Sequence, residues 1–246
     1  MKIKTLKDFN FKGKKVLVRC DFNVPIQNGK ILDDFRIKIA LPTIKFLKKE
    51  GAKILLISHL GDPGGKRVQE LSLAPIVNYL QKLLKSRVKK VNEISDKEIQ
   101  WEKNEILVLE NIRFWEGEEK CDMQFAKLLA SFGEIFVNEA FSVAHRKHAS
   151  VYLLPKLLPA CIGFNFEKEL KTLETFLRKI KKPLVILIGG KKIETKAPII
   201  KRFLKIADWI LVNHPIGEEI KSGNFSFKSS KKIIFPQPTE NNLDLD

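Results

Sequence analysis

The side chains best suited to chemistry in this chain are cations and amides at the ends of apolar runs. Val16, Leu17 and Val18 form a continuous β-branched stretch closed by Pro25, and read as a short buried strand. Side chains alternate along an extended chain, so Arg19, Asp21 and Asn23 share one side while Cys20, Phe22 and Val24 share the other. A cation, a carboxylate and an amide in a row suit a small ligand carrying negative charge and hydroxyl groups; a solvated edge is the other reading of the same pattern. Further along, His59 follows the run Lys53–Ser58, Arg113 follows Glu105–Leu109, and His145, Arg146 and His148 follow Glu134–Asn138. Arg36 opens a helix nearby. Arginine presents a planar fork of donors that matches carboxylate and phosphate. Cationic groups after four separate strands thus point to a site for a small phosphorylated or carboxylated metabolite.

The elements that must position these groups are strands alternating with helices. An amphipathic helix from about Asp33 to Lys49 uses Ile37, Leu41, Ile44 and Leu47. Another runs from about Ser72 to Leu84, and a third lies around Met123 to Ser131. This alternation predicts a parallel sheet covered on both faces, with ligands beyond the carboxyl ends of its strands. Phe166 to Lys182 reads as an amphipathic connecting helix. Pro183–Ile188 then starts a second parallel unit, ending in Gly189-Gly190-Lys191-Lys192 and a helix over Glu194–Ile206. Paired glycines at a strand-to-helix turn let backbone amides approach phosphate, although the pattern is neither the dinucleotide fingerprint nor the P-loop. Strands follow at Asp208–Val212 and Lys231–Phe235, and the last ten residues read as disordered. The expected organisation is α/β: a domain over 1–165, a connecting helix over 166–182 and a partial domain over 183–246.

Lys and Arg number 45 against 29 Asp and Glu, a formal charge of +16 with pI about 9.7. The excess admits nucleic acid or an anionic metabolite. The lysines are scattered in pairs without an aromatic-laced stripe or recognition motif, so nucleic acid is not expected as a partner. The three cysteines, Cys20, Cys121 and Cys161, lack metal-ligand spacing and read as reduced thiols. No protein-bound metal is expected. The charged start lacks the apolar core of a signal peptide and no run has the length of a membrane span, so a cytoplasmic location is expected.

Taken in order, the motifs resemble those of phosphoglycerate kinases. They are Val16–Pro25 with Asp33-Asp34-Phe35-Arg36-Ile37, Ser58-His59-Leu60-Gly61, Leu109-Glu110-Asn111-Ile112-Arg113-Phe114, Ala140-Phe141 through His145-Arg146-Lys147-His148-Ala149-Ser150, and Gly189-Gly190-Lys191-Lys192-Ile193-Glu194-Thr195-Lys196. The resemblance implies two doubly wound, Rossmann-like parallel-sheet domains joined by a helix, the second incomplete here. It implies reversible phosphoryl transfer between ATP and the carboxylate of 3-phosphoglycerate, giving 1,3-bisphosphoglycerate and ADP, a step of glycolysis. Mg2+ would arrive on the nucleotide. Arg19, Asp21, Asn23, Arg36, His59, Arg113 and Arg146 would then form the substrate set, with Arg36 stabilising the transferring phosphoryl group. Gly189, Gly190, Lys192 and Lys196 would meet nucleotide phosphates, both lysines also serving catalysis. The family resemblance implies a monomer; a complementing chain that supplies the rest of the nucleotide half is the variant of that expectation. The alternative is a weak or inactive homologue that binds 3-phosphoglycerate only. The sequence departs from the family's pattern at Asp62, where the family has arginine, at Glu139 in place of aspartate, at Lys191 in place of a small residue, and at Asn213-His214-Pro215 in place of a glycine-rich turn.

Overall fold

The computed structural model describes residues 3–102 and 105–236; the expectation of disorder over the last ten residues lies outside them. The chain forms two compact units, one up to Leu173 and one from Glu174. In chain order the first holds β1 (Lys15–Arg19), the short strands β2 (Ile26–Gln27) and β3 (Lys30–Ile31), α1 (Phe35–Lys49), β4 (Lys53–Ile57), α2 (Ala74–Leu84), β5 (Val88–Val91) and β6 (Ile106–Leu109). It continues with α3 (Glu116–Glu119), α4 (Met123–Ala130), β7 (Ile135–Asn138), α5 (Leu154–Leu157), β8 (Ala160–Ile162) and most of α6 (Phe164–Arg178).

The six-stranded sheet has the order β5-β6-β4-β1-β7-β8 and all its pairs are parallel. Successive residues of β1 serve opposite faces. Val16 and Val18 pack with Ile37, Ile44, Ile76 and Leu80 of α1 and α2. Leu17 packs with Leu129 of α4, Phe132, Leu154 and Phe136. A strand buried on both faces reads as an unbroken apolar run, as this one does. From central β1 the chain turns first to β4 and later to β7 on the opposite side, which makes a topological switch point at its carboxyl end.

Three details bear on the site. β1 ends at Arg19, so the regular strand stops short of Asp21, yet burial still alternates: Cys20, Phe22 and Val24 are buried and Asp21 and Asn23 are half-buried. Asn28 and Gly29 both adopt left-handed backbone (φ 50° and 73°), the geometry of a tight two-residue hairpin turn between β2 and β3. Helix α1 runs through Pro42.

The second unit contains β9 (Val185–Ile188), α7 (Ile193–Phe203), β10 (Trp209–Val212), α8 (His214–Ser222) and β11 (Ile233–Ile234), with parallel strand order β11-β10-β9. Ile188, Ile210, Val212 and Ile233 pack with Ile193 and Ile200 of α7 and Ile216 and Ile220 of α8. The other face of this sheet carries Val185, Leu187, Trp209 and Ile234, all exposed. The described residues therefore supply one of the two helical layers of a doubly wound sheet. Helix α8 is an element the sequence reading did not include: Asn213-His214-Pro215, noted there in place of a glycine-rich turn, opens it, because proline suits a helix's first turn, where its missing N–H costs nothing. The second strand starts at Trp209 and the third shrinks to two residues.

Candidate functional site

The carboxyl ends of β1, β4, β6 and β7 carry the candidate side chains, and three buried polar residues hold these ends together. Ser58 accepts from Phe22 N (2.8 Å) and donates to Cys20 O (3.0 Å), which ties the tail of β1 to that of β4. Asn111 donates to Leu60 O (2.7 Å) and Leu71 O (3.0 Å), and its side-chain oxygen caps the turn that carries Arg113. Glu110 accepts from Leu73 N (2.7 Å), Ser72 Oγ (2.7 Å) and Lys90 Nζ (2.7 Å). The loops at this edge are thus fixed by hydrogen bonds to buried partners.

Arg19 is fully enclosed. Its guanidinium donates to Ser150 Oγ (2.8 Å) and Cys20 O (2.5 Å) and lies 3.3 Å from His59 Nδ1. Ser150 in turn donates from Oγ (2.6 Å) and from N (2.8 Å) to Glu118, which is also fully enclosed. Burial works against the Arg19 charge; Glu118 and Asp21 offset it. A buried cation survives only when such partners surround it. Arg19 therefore faces inward, and its contact is with the histidine beside it.

Arg113 is nearly buried. Its Nη1 donates to Gly61 O (2.8 Å) and stands 3.5 Å from Asp62, while Nε is 3.3 Å from Glu119. His59 and His148 are buried as well. Desolvation, and then the neighbouring arginines, pull the imidazole of His59 down to about 2 and that of His148 to about 4. Arg19, Arg113 and Arg146 all act on both rings, so these five groups form one electropositive cluster in which the histidines are neutral at physiological pH. Arg146 and His145 are exposed on the loop after β7.

Beside this cluster, Arg36 Nη1 pairs with Asp21 at 2.5 Å, and Asp21 also accepts from Ser142 Oγ (2.5 Å). Asn23 accepts from Gly61 N (2.9 Å). Asp21, Arg36, Ser142 and Glu139 line a cavity of about 310 Å³. A larger one, about 670 Å³, lies between the β2–β3 hairpin and α2, but neither arginine nor histidine lines it. The expected substrate residues of the first unit are thus grouped at one sheet edge, with Arg19 as a support beneath. Arg67, farther along the same loop as Asp62, is engaged away from the cluster: it binds Asn92 O and Glu93 and stacks on Trp115. Ser142, Glu118, Glu119 and Ser150 escaped the sequence reading; isolated serines and a run of glutamates carry no spacing signal.

In the second unit, Gly190 has φ 137°, and a Cβ there would lie 3.0 Å from Lys196 Cε. Its carbonyl accepts from Asn213 Nδ2 (3.1 Å). Lys192 stands just before the first turn of α7 and is exposed; Lys196, one turn on, is half-buried. Among the described residues neither ammonium has an acidic partner. Ile193 N, at the first turn of α7, donates to Glu219 Oε2 (2.6 Å), so a carboxylate of the chain itself sits where an anion would bind. Among the described residues no group of three His, Cys, Asp or Glu is placed to hold a metal ion, and no helix is long and apolar enough to cross a membrane.

Comparison with known proteins agrees with this geometry. The family model for phosphoglycerate kinase matches residues 6–217. The phosphoglycerate kinase of Borrelia garinii subsp. bavariensis is 46% identical over 218 residues, which cover 86% of this chain and 56% of the relative. That of Moorella thermoacetica is 43% identical over 213 residues, covering 85% and 54%. Among solved structures, phosphoglycerate kinase from Coxiella burnetii superposes with a TM-score of 0.77 at 34% identity, over 89% of this chain and 57% of that one. The Pyrococcus horikoshii enzyme gives 0.77 at 29% identity, over 88% and 56%. The chain thus spans little more than half the length of the curated relatives it matches. With a family model that covers most of its residues and relatives above 40% identity, the chain belongs to the phosphoglycerate kinase family.

Proposed function

We propose that the first unit binds 3-phosphoglycerate and that the chain serves reversible phosphoryl transfer between ATP and the carboxylate of that substrate. The observation that carries this reading is the cluster of Arg113, Arg146, His59 and His148 beside the Arg36–Asp21–Asn23 group at one sheet edge. The cluster suits the phosphate. Asp21 and Asn23 suit a hydroxyl. Arg36 is held by Asp21 yet remains partly exposed, so it is placed to counter charge on a carboxylate or on a phosphoryl group that arrives there. Phosphoryl transfer asks for positioning and positive charge more than for covalent participation by the protein.

Lys192 and Lys196 and the turn at Gly189-Gly190 would meet the phosphates of ATP or ADP, with Mg2+ carried by the nucleotide. The two lysines without acidic partners fit that role. Glu219 on the α7 amide favours a second reading, a homologue that binds 3-phosphoglycerate and transfers little or nothing without a complementing chain. Calorimetric titration with 3-phosphoglycerate, alongside an Arg36→Ala variant, tests the first step: binding that the variant weakens at least tenfold is expected, and no binding by a folded sample overturns the substrate reading. Turnover of ATP with 3-phosphoglycerate then separates the two readings.

A further inference from the structure

The loop after β4 closes over Arg113 and brings a carboxylate with it. Arg113 Nη1 donates to Gly61 O (2.8 Å), and Gly65 N donates to Arg113 O (3.1 Å), so the guanidinium and the loop hold each other. Gly65 has φ 78°, and a Cβ there would approach Glu116 Cγ to 2.5 Å. The loop is closely fitted. Asp62 Oδ1 stands 3.5 Å from Nη1 and Glu119 Oε1 3.3 Å from Nε. Among the described residues, buried Nε nevertheless makes no hydrogen bond. Both carboxylates are therefore at ion-pair distance without the aligned bonds a guanidinium forms with an optimal partner. They partly offset the charge of Arg113 and leave a buried donor unspent, which an incoming anion could use.

We infer that Asp62 and Glu119 act as specificity-determining residues, an internal anion on Arg113 that a phosphorylated ligand must displace. The identity of that ligand rests on the substrate reading above; the masking does not. Glu119 faces Arg113, Asp62 and Glu118 of its own helix. Around Arg113 stand His148 and Arg146 from the loop after β7, and His59 and Arg19 from the ends of β4 and β1. Burial, then Asp62, raise the Glu119 carboxyl above its ordinary range, against the pull of Arg113. As pH rises and Glu119 ionises, the mask strengthens and anion affinity falls. The two histidines, at about 2 and about 4, are neutral at physiological pH.

The test is calorimetric titration of the full chain with sulfate, which does not titrate in this range, and separately with 3-phosphoglycerate, between pH 5.5 and 8. Wild type is compared with Asp62→Asn, Glu119→Gln and the double variant. Removing one carboxylate at this distance should tighten sulfate about threefold to tenfold at pH 8. The gap between wild type and Glu119→Gln should narrow as pH is lowered and Glu119 takes up its proton, since the histidines are neutral in both proteins. A purely structural role would not give that closing gap. Unchanged or weaker sulfate affinity at pH 8 in variants with native thermal transitions overturns the inference, as does a gap that widens as pH falls. If sulfate tightens while 3-phosphoglycerate binds none of the proteins, the mask stands and the substrate reading falls. Should Asp62→Asn fail to fold, Glu119→Gln carries the test.

Discussion

Glu139 follows β7 and is buried where three elements meet. Its Oε1 accepts from Thr43 Oγ1 of α1 (3.0 Å) and from Asn165 N of α6 (3.1 Å), while Oε2 is buried without a hydrogen bond. Burial dominates over these bonds and pushes the carboxyl up to about 7 from an ordinary 4.5. In the unfolded chain the group ionises near the ordinary value, so between the two values the native state holds the proton that the unfolded state has released. Stability therefore falls as pH rises from about 4.5 and levels off above about 7. A shift from 4.5 to about 7 at about 1.36 kcal/mol per pH unit sets the span at about 3 kcal/mol. Glu139→Gln keeps the volume and removes the titration. The assay is urea unfolding from pH 5 to 8 in a Trp209→Phe background, where emission comes from Trp101 and Trp115, both in the first unit. The stability of Glu139→Gln relative to wild type should climb by about 2.5 kcal/mol between pH 5 and 8. Any constant offset from the amide cancels in that difference, as do all other titrating groups. A change below about 1 kcal/mol across this interval would refute the claim that burial outweighs the hydrogen bonds.

Gly163→Ala should destabilise the first unit by about 3 kcal/mol or more, since the new Cβ would fall 1.9 Å from Glu139 Oε2; thermal unfolding reads it, and a melt within a degree of wild type would show that the glutamate moves aside freely. Arg19→Met leaves Glu118 buried without the guanidinium that meets it through Ser150, so urea unfolding should show a loss of about 3–5 kcal/mol, larger than that for Ser150→Ala at about 1–3 kcal/mol. A thiol reagent should modify Cys121 alone in the native chain and all three cysteines after unfolding, because Cys20 and Cys161 are buried and burial pushes Cys161 up to about 12. Lys192→Ala with Lys196→Ala should weaken ATP retention and leave 3-phosphoglycerate binding unchanged; equal loss of both would count against separate sites.

Much of the first unit was legible because its strands are short, apolar on both faces and separated by amphipathic helices. Val16–Val18, Lys53–Ser58 and Glu134–Asn138 have no reading as solvated segments, and a parallel sheet follows from what lies between them. The cations could be placed at one edge for the same reason: every parallel strand delivers its carboxyl end to the same side. Elements without a period were harder to see. Strand β8 has three residues, α3 and α5 have four each, and α8 begins at a His-Pro pair that resembles a stop. Burial of charge was hidden too. Alternation put Arg19 in line with Asp21 and Asn23, but alternation describes direction only, and whether a side points to solvent or to a second layer depends on what packs there. The loop that brings Ser150, and the helix that brings Glu118, lie more than ninety positions away in sequence and give no local sign of their destination.

The four arginines of the site are graded by burial, and the grading argues for how labour is divided among them. Arg19 is fully enclosed, Arg113 nearly so, and Arg36 and Arg146 are exposed. An enclosed guanidinium must be neutralised inside the protein, since its desolvation would otherwise cost several kcal/mol. Its partners then hold it still, as Cys20 O and Ser150 hold Arg19. Such a group cannot turn to a ligand, but it can fix the histidine next to it and raise the local potential. An exposed arginine bears no such cost and keeps donors for an arriving anion. Arg113 lies between these cases: buried enough to need Asp62 and Glu119, yet left with an unbonded Nε. Under the substrate reading proposed above, the affinity of the candidate site for an anion would be set at Arg113, where internal and external negative charge would compete for one guanidinium.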